Sequence, residues 1–306
     1  MADDGVLDLA LAFLNSFRRY NSNIPLCLIP FNDKFAKLSE LKHKYRFSIF
    51  SNEDVLAQCD EISKRFHNRV TGHYRKLAAW EGDFDEFIYI DIDTVVLNSV
   101  FFAFRFLSEF DFITSHSNLP ELIQWVWKPS INATGQLTDE QIAFSANTGF
   151  ITSRKSALRL ECVTARVESA RTLATHMRLL CKEQPFLNYL IVTSGRKYTS
   201  LWLLARKERS PDILLEAWAG IKGGVIKNGE VMLSDGTRPP IFLVHWAGKC
   251  QPRFRDELMF FILRVLGLRS KGDRLQVRFF MPYKELWEYY RLLPEKDTAK
   301  GNLHAS

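Results

Sequence analysis

The stretch Phe87–Leu97, FIYIDIDTVVL, decides how the rest of the chain is read. It is an apolar run of high β-propensity, interrupted by two carboxylates one residue apart, Asp91 and Asp93, before it turns apolar again. On an extended strand, residues i and i+2 project to the same side. Both carboxylates can then share one divalent cation bound through hard oxygens, and that cation can hold a diphosphate. Asp-x-Asp alone is weak, because at ordinary acidic usage a chain of this length carries roughly one by chance. Asp83 and Asp85, in GDFDEF, have the same spacing but lie in a polar, glycine-containing stretch that reads as the turn before the strand. At Asp91 and Asp93 the surroundings are apolar, and uncompensated carboxylates there cost free energy.

The chain has 306 residues, 46% of them hydrophobic, enough to bury one large core or two modest ones. A net charge of +6 suits an anionic partner without choosing between nucleic acid, nucleotide and lipid surface. Cys27, Cys59, Cys162, Cys181 and Cys250 are scattered singly, without a CxxC pair, which argues against a disulfide framework or a zinc site and for a reducing compartment. MADDGVLDL lacks the basic start and apolar stretch of a secretory signal, and no apolar run approaches the roughly 20 residues that span a bilayer. The expectation is a cytoplasmic protein, soluble or peripheral on the inner face of a membrane.

Helical and strand-like periodicities alternate as in a layered α/β domain. Leu7–Tyr20 carries one apolar stripe and ends in Arg18 and Arg19, the pattern of a helix. IPLCLIP (Ile24–Pro30) and RFSIF (Arg46–Phe50) read as short strands, and Asp33–Lys44, Glu53–Phe66, His73–Trp80 and Ser99–Phe110 as helices. DFITS (Asp111–Ser115), TGFITS (Thr148–Ser153), KYTSLWLLA (Lys197–Ala205) and IFLVHWAG (Ile241–Gly248) read as further strands, Lys155–Cys181 and Gln184–Thr193 as helical. Asn118–Gln141, with two prolines, Trp125 and Trp127, reads as an irregular excursion whose aromatics either stack on a sugar ring or pack beneath the loop.

Five segments, in order along the chain, resemble the glycogenin-like family of metal-dependent, retaining nucleotide-sugar glycosyltransferases, which includes the lipopolysaccharide galactosyltransferases. The resemblance runs from about Ala2 to Pro252. ADD (Ala2–Asp4) is similar to the end of the family's first loop, which implies that Asp3 meets the nucleotide base. YRKLAAW (Tyr74–Trp80) resembles the helix that carries a basic residue toward the sugar nucleotide, implying Lys76 in that role, with Arg75 beside it. NTGF (Asn147–Phe150) resembles the strand that touches the donor sugar through its asparagine. EQPFLN (Glu183–Asn188) resembles the segment whose first two residues, here Glu183 and Gln184, lie beside the anomeric carbon. HWAGKCQP (His245–Pro252) resembles His-x-x-Gly-x-x-Lys-Pro-Trp, implying His245 as the third metal ligand with Asp91 and Asp93, and Gly248 and Lys249 near the diphosphate.

Three departures from the family pattern stand out. The family's diphosphate lysine falls on Gln251, which leaves Lys249 or Arg253 to supply the charge. Glu183 replaces an aspartate. The chain starts at Met1 where the family has a whole strand before the ADD segment, and a true start upstream of Met1 is the expectation.

Taken alone, these residues have other readings. A histidine at the end of a buried strand is usually a hydrogen-bonded structural residue. Asn147 suits a turn cap as well as a sugar contact, and Glu183 and Gln184 could sit on a solvated helix face. Within the resemblance, a metal on Asp91, Asp93 and His245, Mn²⁺ or Mg²⁺ by its donor set, would neutralise a departing nucleoside diphosphate as a Lewis acid. Glu183 and Gln184 would stabilise an oxocarbenium-like centre.

The implied protein is α/β. Residues 1–252 form a single Rossmann-like glycosyltransferase domain of type A, with a mostly parallel mixed central sheet flanked by helices. Residues 253–306 form a basic, amphipathic, helical extension with a disordered end. Its activity would be hexosyl transfer from a nucleotide sugar, a UDP-sugar above all, to a saccharide or lipid-linked acceptor. A catalytically inactive binding protein of the same fold is the main alternative. A glycoside hydrolase ranks lower, since two acids on one strand edge do not flank a bond from opposite faces. No nucleic-acid recognition motif is visible. The basic tail either lies on an anionic membrane or packs on the core with its arginines in water.

Overall fold

The structure is a computed structural model that describes residues 1–208, 212–218, 225–233, 235–247 and 284–293. Its strands are β1 (Leu26–Leu28), β2 (Phe47–Ile49), β3 (Glu86–Ile90), β4 (Thr94–Val96), β5 (Phe112–Thr114), β6 (Phe150–Arg154), β7 (Tyr198–Ser200), β8 (Leu215–Trp218), β9 (Val225–Lys227), β10 (Glu230–Met232) and β11 (Ile241–His245). Its α-helices are α1 (Leu7–Tyr20), α2 (Ala36–Glu40), α3 (Lys42–Tyr45), α4 (Glu53–His67), α5 (Pro120–Val126), α6 (Asp139–Phe144), α7 (Leu160–Thr172), α8 (Gln184–Val192) and α9 (Leu201–Glu208). The chain divides into two compact units: Met1–Gly5, Pro25–Asp91 and Val100–Leu214 form the first, and Val6–Ile24, Ile92–Ser99 and Leu215–Ser306 the second.

In the first unit a four-stranded sheet runs in the order β3-β6-β5-β7, antiparallel across β3·β6 and β5·β6 and parallel across β5·β7. A separate parallel pair joins β1 to β2, and Ala2 bridges to Pro30 in the same sense. Trp80, fully buried, anchors the core. Its indole donates to Ser153 Oγ at 3.1 Å, and its ring meets Phe87 edge-on at 5.2 Å. The helices start where local chemistry satisfies their first N–H groups. Asn52 Oδ1 accepts from Val55 N at α4, and Thr138 and Gln141 form a reciprocal capping box at α6.

The second unit is built on a three-stranded sheet in the order β4-β11-β8, with β11 antiparallel to β4 and parallel to β8. Leu9 and Ala12 of α1 pack with Val95, Val244 and Trp246, and Ser16 Oγ of α1 accepts the Val96 N–H at 3.0 Å. A hairpin joins β9 to β10 through Asn228 (φ 52°) and Gly229 (φ 76°), both left-handed. That Asn-Gly pair is the residue choice a two-residue hairpin turn favours, and a side chain at 229 would collide with the Tyr289 ring.

Mixed α/β architecture with mixed sheets is what the alternating periodicity predicts. Antiparallel pairing takes a larger share than expected, because β6 returns between β3 and β5 against both. Other differences are local. Phe87–Leu97 is two strands, since its ladder partner changes from β6 to β11. Asp33–Lys44 is two short helices, and His73–Trp80 and Ser99–Phe110 wind mainly as 3₁₀ segments, Gly72–Glu81 and Phe101–Ser108. KYTSLWLLA splits after Ser200 into β7 and α9, with Leu201 and Leu204 buried at helical spacing. The excursion from Asn118 to Gln141 is largely helical: α5 and the 3₁₀ turn Pro129–Thr134 each carry proline in the first turn, and α6 begins at the Thr138 cap. Trp127 is buried within it, while Trp125 is 55% exposed.

Of the basic extension, the described part is helical at 284–291. Leu286, Trp287 and Tyr290 are buried in the second unit's core, and the rest of 253–306 lies outside the described residues. No helix among the described residues is long and apolar enough to cross a membrane.

Replacing Trp80 with alanine removes a large, fully buried side chain from the first core and leaves a cavity. It should destabilise the chain by about 3–5 kcal/mol, read from the shift in the urea unfolding midpoint.

Candidate active site

The Asp-x-Asp pair lies where a strand was expected and no strand exists. β3 ends at Ile90 and β4 begins at Thr94. The backbone between them is held at both ends: Asp91 N donates to Gly149 O at 2.8 Å within the first unit, and Trp246 N donates to Asp93 O at 2.9 Å within the second. The boundary between the units falls between Asp91 and Ile92. Strand alternation therefore does not orient the two carboxylates; the bend at 92–93 does.

Within the first unit, Lys76 is the organising charge. The 3₁₀ segment Gly72–Glu81 turns it inward, leaving its side chain 2% exposed. Its Nζ lies 2.6 Å from Glu183 Oε1 and 3.4 Å from Asp91 Oδ1, donates to Thr148 O at 3.1 Å, and sits 4.8 Å from the centre of the Tyr89 ring. Tyr89 in turn donates its hydroxyl to Asp91 Oδ1 at 2.7 Å. Burial by itself would lower the pKa of the ammonium; Asp91 and Glu183 outweigh it and hold the pKa above the ordinary lysine value.

Glu183 stands immediately before α8, where the helix N-terminus favours a negative charge. Gln184 follows at the first turn, its amide held by two long hydrogen bonds of 3.5 Å, from Thr148 N and to Trp125 O. Asn188, one turn on and fully buried, clamps this end of the helix. It accepts from Ala146 N at 2.6 Å and donates to both Ala146 O and Gln184 O at 2.9 Å. The asparagine of EQPFLN thus ties α8 to the segment that leads into β6. Asn147 is buried, and its Oδ1 accepts from Gly149 N at 2.9 Å, the turn-capping arrangement.

Within the second unit, the sheet order places β11 between a carboxylate on either side. His245, at the end of β11, has Nε2 3.3 Å from Asp93 Oδ1 and Nδ1 2.5 Å from Glu216 Oε1. Glu216 lies on β8, and Trp218 Nε1 donates to its Oε1 at 2.9 Å. All three charged side chains are buried. Burial would lower the imidazole pKa; the Asp93 and Glu216 carboxylates overcome it and raise the value well above that of ordinary histidine.

The structure thus brings Lys76, Glu183 and Asp91 together in the first unit, and Asp93 with His245 in the second. Asp3 follows Ala2, which bridges to Pro30, and its carboxylate accepts from Gly5 N at 2.9 Å and Asn32 Nδ2 at 2.6 Å. The neighbouring Asp4 accepts from Lys37 N and Leu38 N at the start of α2. Arg75 does not accompany Lys76: it pairs with Asp60 at 2.7 Å and Asp33 at 3.4 Å. Gly248 and Lys249 lie outside the described residues, as does Gln251. Sequence reasoning missed Tyr89 and Glu216. Tyr89 carried a usable signal, two residues before Asp91 in a strand. Glu216, in LLEAW, carried only the oddity of one acid in an apolar run.

No family model matches the sequence, and no curated protein matches it. Among solved structures, the chain is similar to the glycosyltransferase GlyE of Streptococcus pneumoniae TIGR4, with 12% identity, 97% of this chain and 60% of that chain covered, and a TM-score of 0.49. It is similar to the galactosyltransferase LgtC in complex with donor and acceptor sugar analogs, with 13% identity, coverage of 90% and 98%, and a TM-score of 0.49. For the bifunctional glycosyltransferase WbbM in its apo form the values are 13% identity, 81% and 45% coverage, and a TM-score of 0.45. The chain spans 60% of the length of the GlyE chain.

Two outcomes follow from the buried charges. Lys76→Met leaves Glu183 buried without its cation and should cost about 3–5 kcal/mol. Adding Glu183→Gln should recover part of that loss in denaturant unfolding. The raised His245 value means that the protonated imidazole contributes stability fully below its unfolded value of 6.5, and that this contribution is lost as pH rises through the higher folded value. The melting temperature of the chelator-treated chain should therefore fall as pH rises above 6.5, and His245→Gln should flatten that slope.

Proposed function

We propose that this chain is a metal-dependent glycosyltransferase of type A fold, with residues 1–252 as its transferase domain. It moves a hexose from a UDP-sugar to a saccharide or lipid-linked acceptor with retention at the anomeric centre. One observation carries this reading: Asp93 and His245, expected from two motifs far apart in the sequence, lie 3.3 Å apart within one unit.

Asp93 and His245, within the second unit, offer carboxylate and imidazole donors that suit Mn²⁺ or Mg²⁺; Asp91, the third ligand that the resemblance implies, closes the first unit's segment just before Asp93. The donor set fits, because Asp93 and His245 are buried and the second imidazole nitrogen is already engaged by Glu216. When bound, such a cation supplies Lewis-acid neutralisation of the departing diphosphate.

The remaining roles fall to the chain's own residues. Lys76 positions Glu183 and Asp91 and offsets part of their charge. Tyr89 holds Asp91 from its other flank. Glu183 and Gln184, at the start of α8, would stabilise positive charge developing at the anomeric carbon, the carboxylate through its field and the amide through its oxygen. Asn188 ties the Gln184 backbone to Ala146, next to Asn147, which would touch the donor sugar.

The test is turnover across a panel of UDP- and GDP-sugars, with Mn²⁺ and with chelator. Manganese-dependent release of one nucleoside diphosphate is expected. Asp93→Ala and His245→Ala should each lower it by at least ~10²-fold, and Gln184→Ala by roughly 10²-fold, with circular dichroism unchanged. Absence of turnover of every donor by the folded chain, or full activity in Asp93→Ala, would overturn the reading and favour a binding protein.

A further inference from the structure

We infer that Glu216 is a positioning residue for the metal: its buried carboxylate holds the His245 imidazole by Nδ1 and so commits Nε2 to the cation. The inference rests on the function proposed above and names a residue to which neither the sequence motifs nor the resemblance gives a role.

The geometry lies within the second unit. β8 and β11 run parallel, with His245 level with Trp218 and Leu243 level with Glu216. Glu216 and Trp218, two residues apart on one strand, project to the same side. The side chain of Glu216 is 0% exposed and that of His245 is 4% exposed. The carboxylate accepts from Nδ1 at 2.5 Å, while the Trp218 indole donates to the same oxygen at 2.9 Å and holds it in place.

The imidazole is therefore gripped from β8 on one edge and turned toward Asp93, just before β4, on the other. A leucine at 216 would fill the site without desolvating a charge, so packing alone does not call for an acid there. An imidazole that must present one chosen nitrogen does. A carboxylate on the far nitrogen sets both the tautomer and the ring plane of a ligating histidine, and loss of such a partner typically weakens metal binding about 10–100-fold.

Mn²⁺ titration of the full chain, followed by the electron paramagnetic resonance signal of the free ion, tests this without any activity readout. Glu216→Leu should weaken Mn²⁺ binding about 10–100-fold, and Glu216→Gln, whose amide oxygen still accepts from Nδ1–H, should weaken it less. His245→Ala is the control for the ligand itself.

Wild-type affinity in a folded Glu216→Leu chain overturns the inference alone, provided that His245→Ala has lost binding. Equal weakening by leucine and glutamine also overturns it, since the carboxylate would then act by charge and not by position. Absence of Mn²⁺ binding by the unsubstituted chain overturns this inference together with the metal-dependent reading beneath it. Should Glu216→Leu fail to fold, cadmium-loaded unsubstituted chain decides: ¹¹³Cd–¹⁵N coupling to Nε2 of His245 supports the inference, and coupling to Nδ1 overturns it.

Discussion

An imidazole held between two buried carboxylates is the constraint around which the second unit is arranged. Three ionisable groups within hydrogen-bonding distance in a water-poor interior are costly unless each charge is matched. Here the imidazole is shared between two carboxylates by sheet order, because β11 lies between β4 and β8 and its last residue meets Glu216 of β8 and Asp93, just before β4. The apolar residues around it, Val95, Val244 and Trp246 among them, exclude water and strengthen the electrostatic interactions they enclose.

The first unit solves the same problem with the opposite sign. Lys76 is a single buried cation satisfied by Glu183, Asp91, the Thr148 carbonyl and the face of Tyr89. None of these partners is a neighbour in sequence, so the ion pair can form only once β3, β6 and α8 are in place. Asn188 and Trp80 serve that placement, one by bridging α8 to the segment before β6, the other by filling the space beneath the sheet. Charge matching of this kind contributes modest net stability but penalises any other arrangement, because each displaced partner leaves a charge buried alone.

Much of the layout was legible beforehand. The first helix, Leu7–Tyr20, falls where its apolar stripe ends in two arginines, and the short strands at Leu26–Leu28, Phe47–Ile49, Phe112–Thr114 and Ile241–His245 lie inside the apolar runs that announced them. What was misread has a common cause. Phe87–Leu97 and Lys197–Ala205 are each mostly apolar or β-branched, and periodicity within such a run does not say where a ladder changes partner or where a strand yields to a helix. The Asn118–Gln141 segment reads as irregular from its two prolines, yet proline in the first turn is compatible with a helix start. The β9–β10 hairpin had its Asn-Gly signal in plain view.

The sequence by itself determined which residue types could do chemistry here: two spaced acids in an apolar run, a lysine in an aromatic segment, Glu-Gln before an apolar helix, and a histidine closing a strand. Composition and periodicity act over a few residues, and those choices are local. Only the tertiary structure decided that Lys76 meets Glu183, that Asp93 meets His245, and that Glu216 stands behind the imidazole. Such pairings depend on strand order, which is set by long-range burial of apolar faces and leaves no periodic mark on the chain. A lone glutamate in LLEAW acquires meaning only from the strand laid beside it.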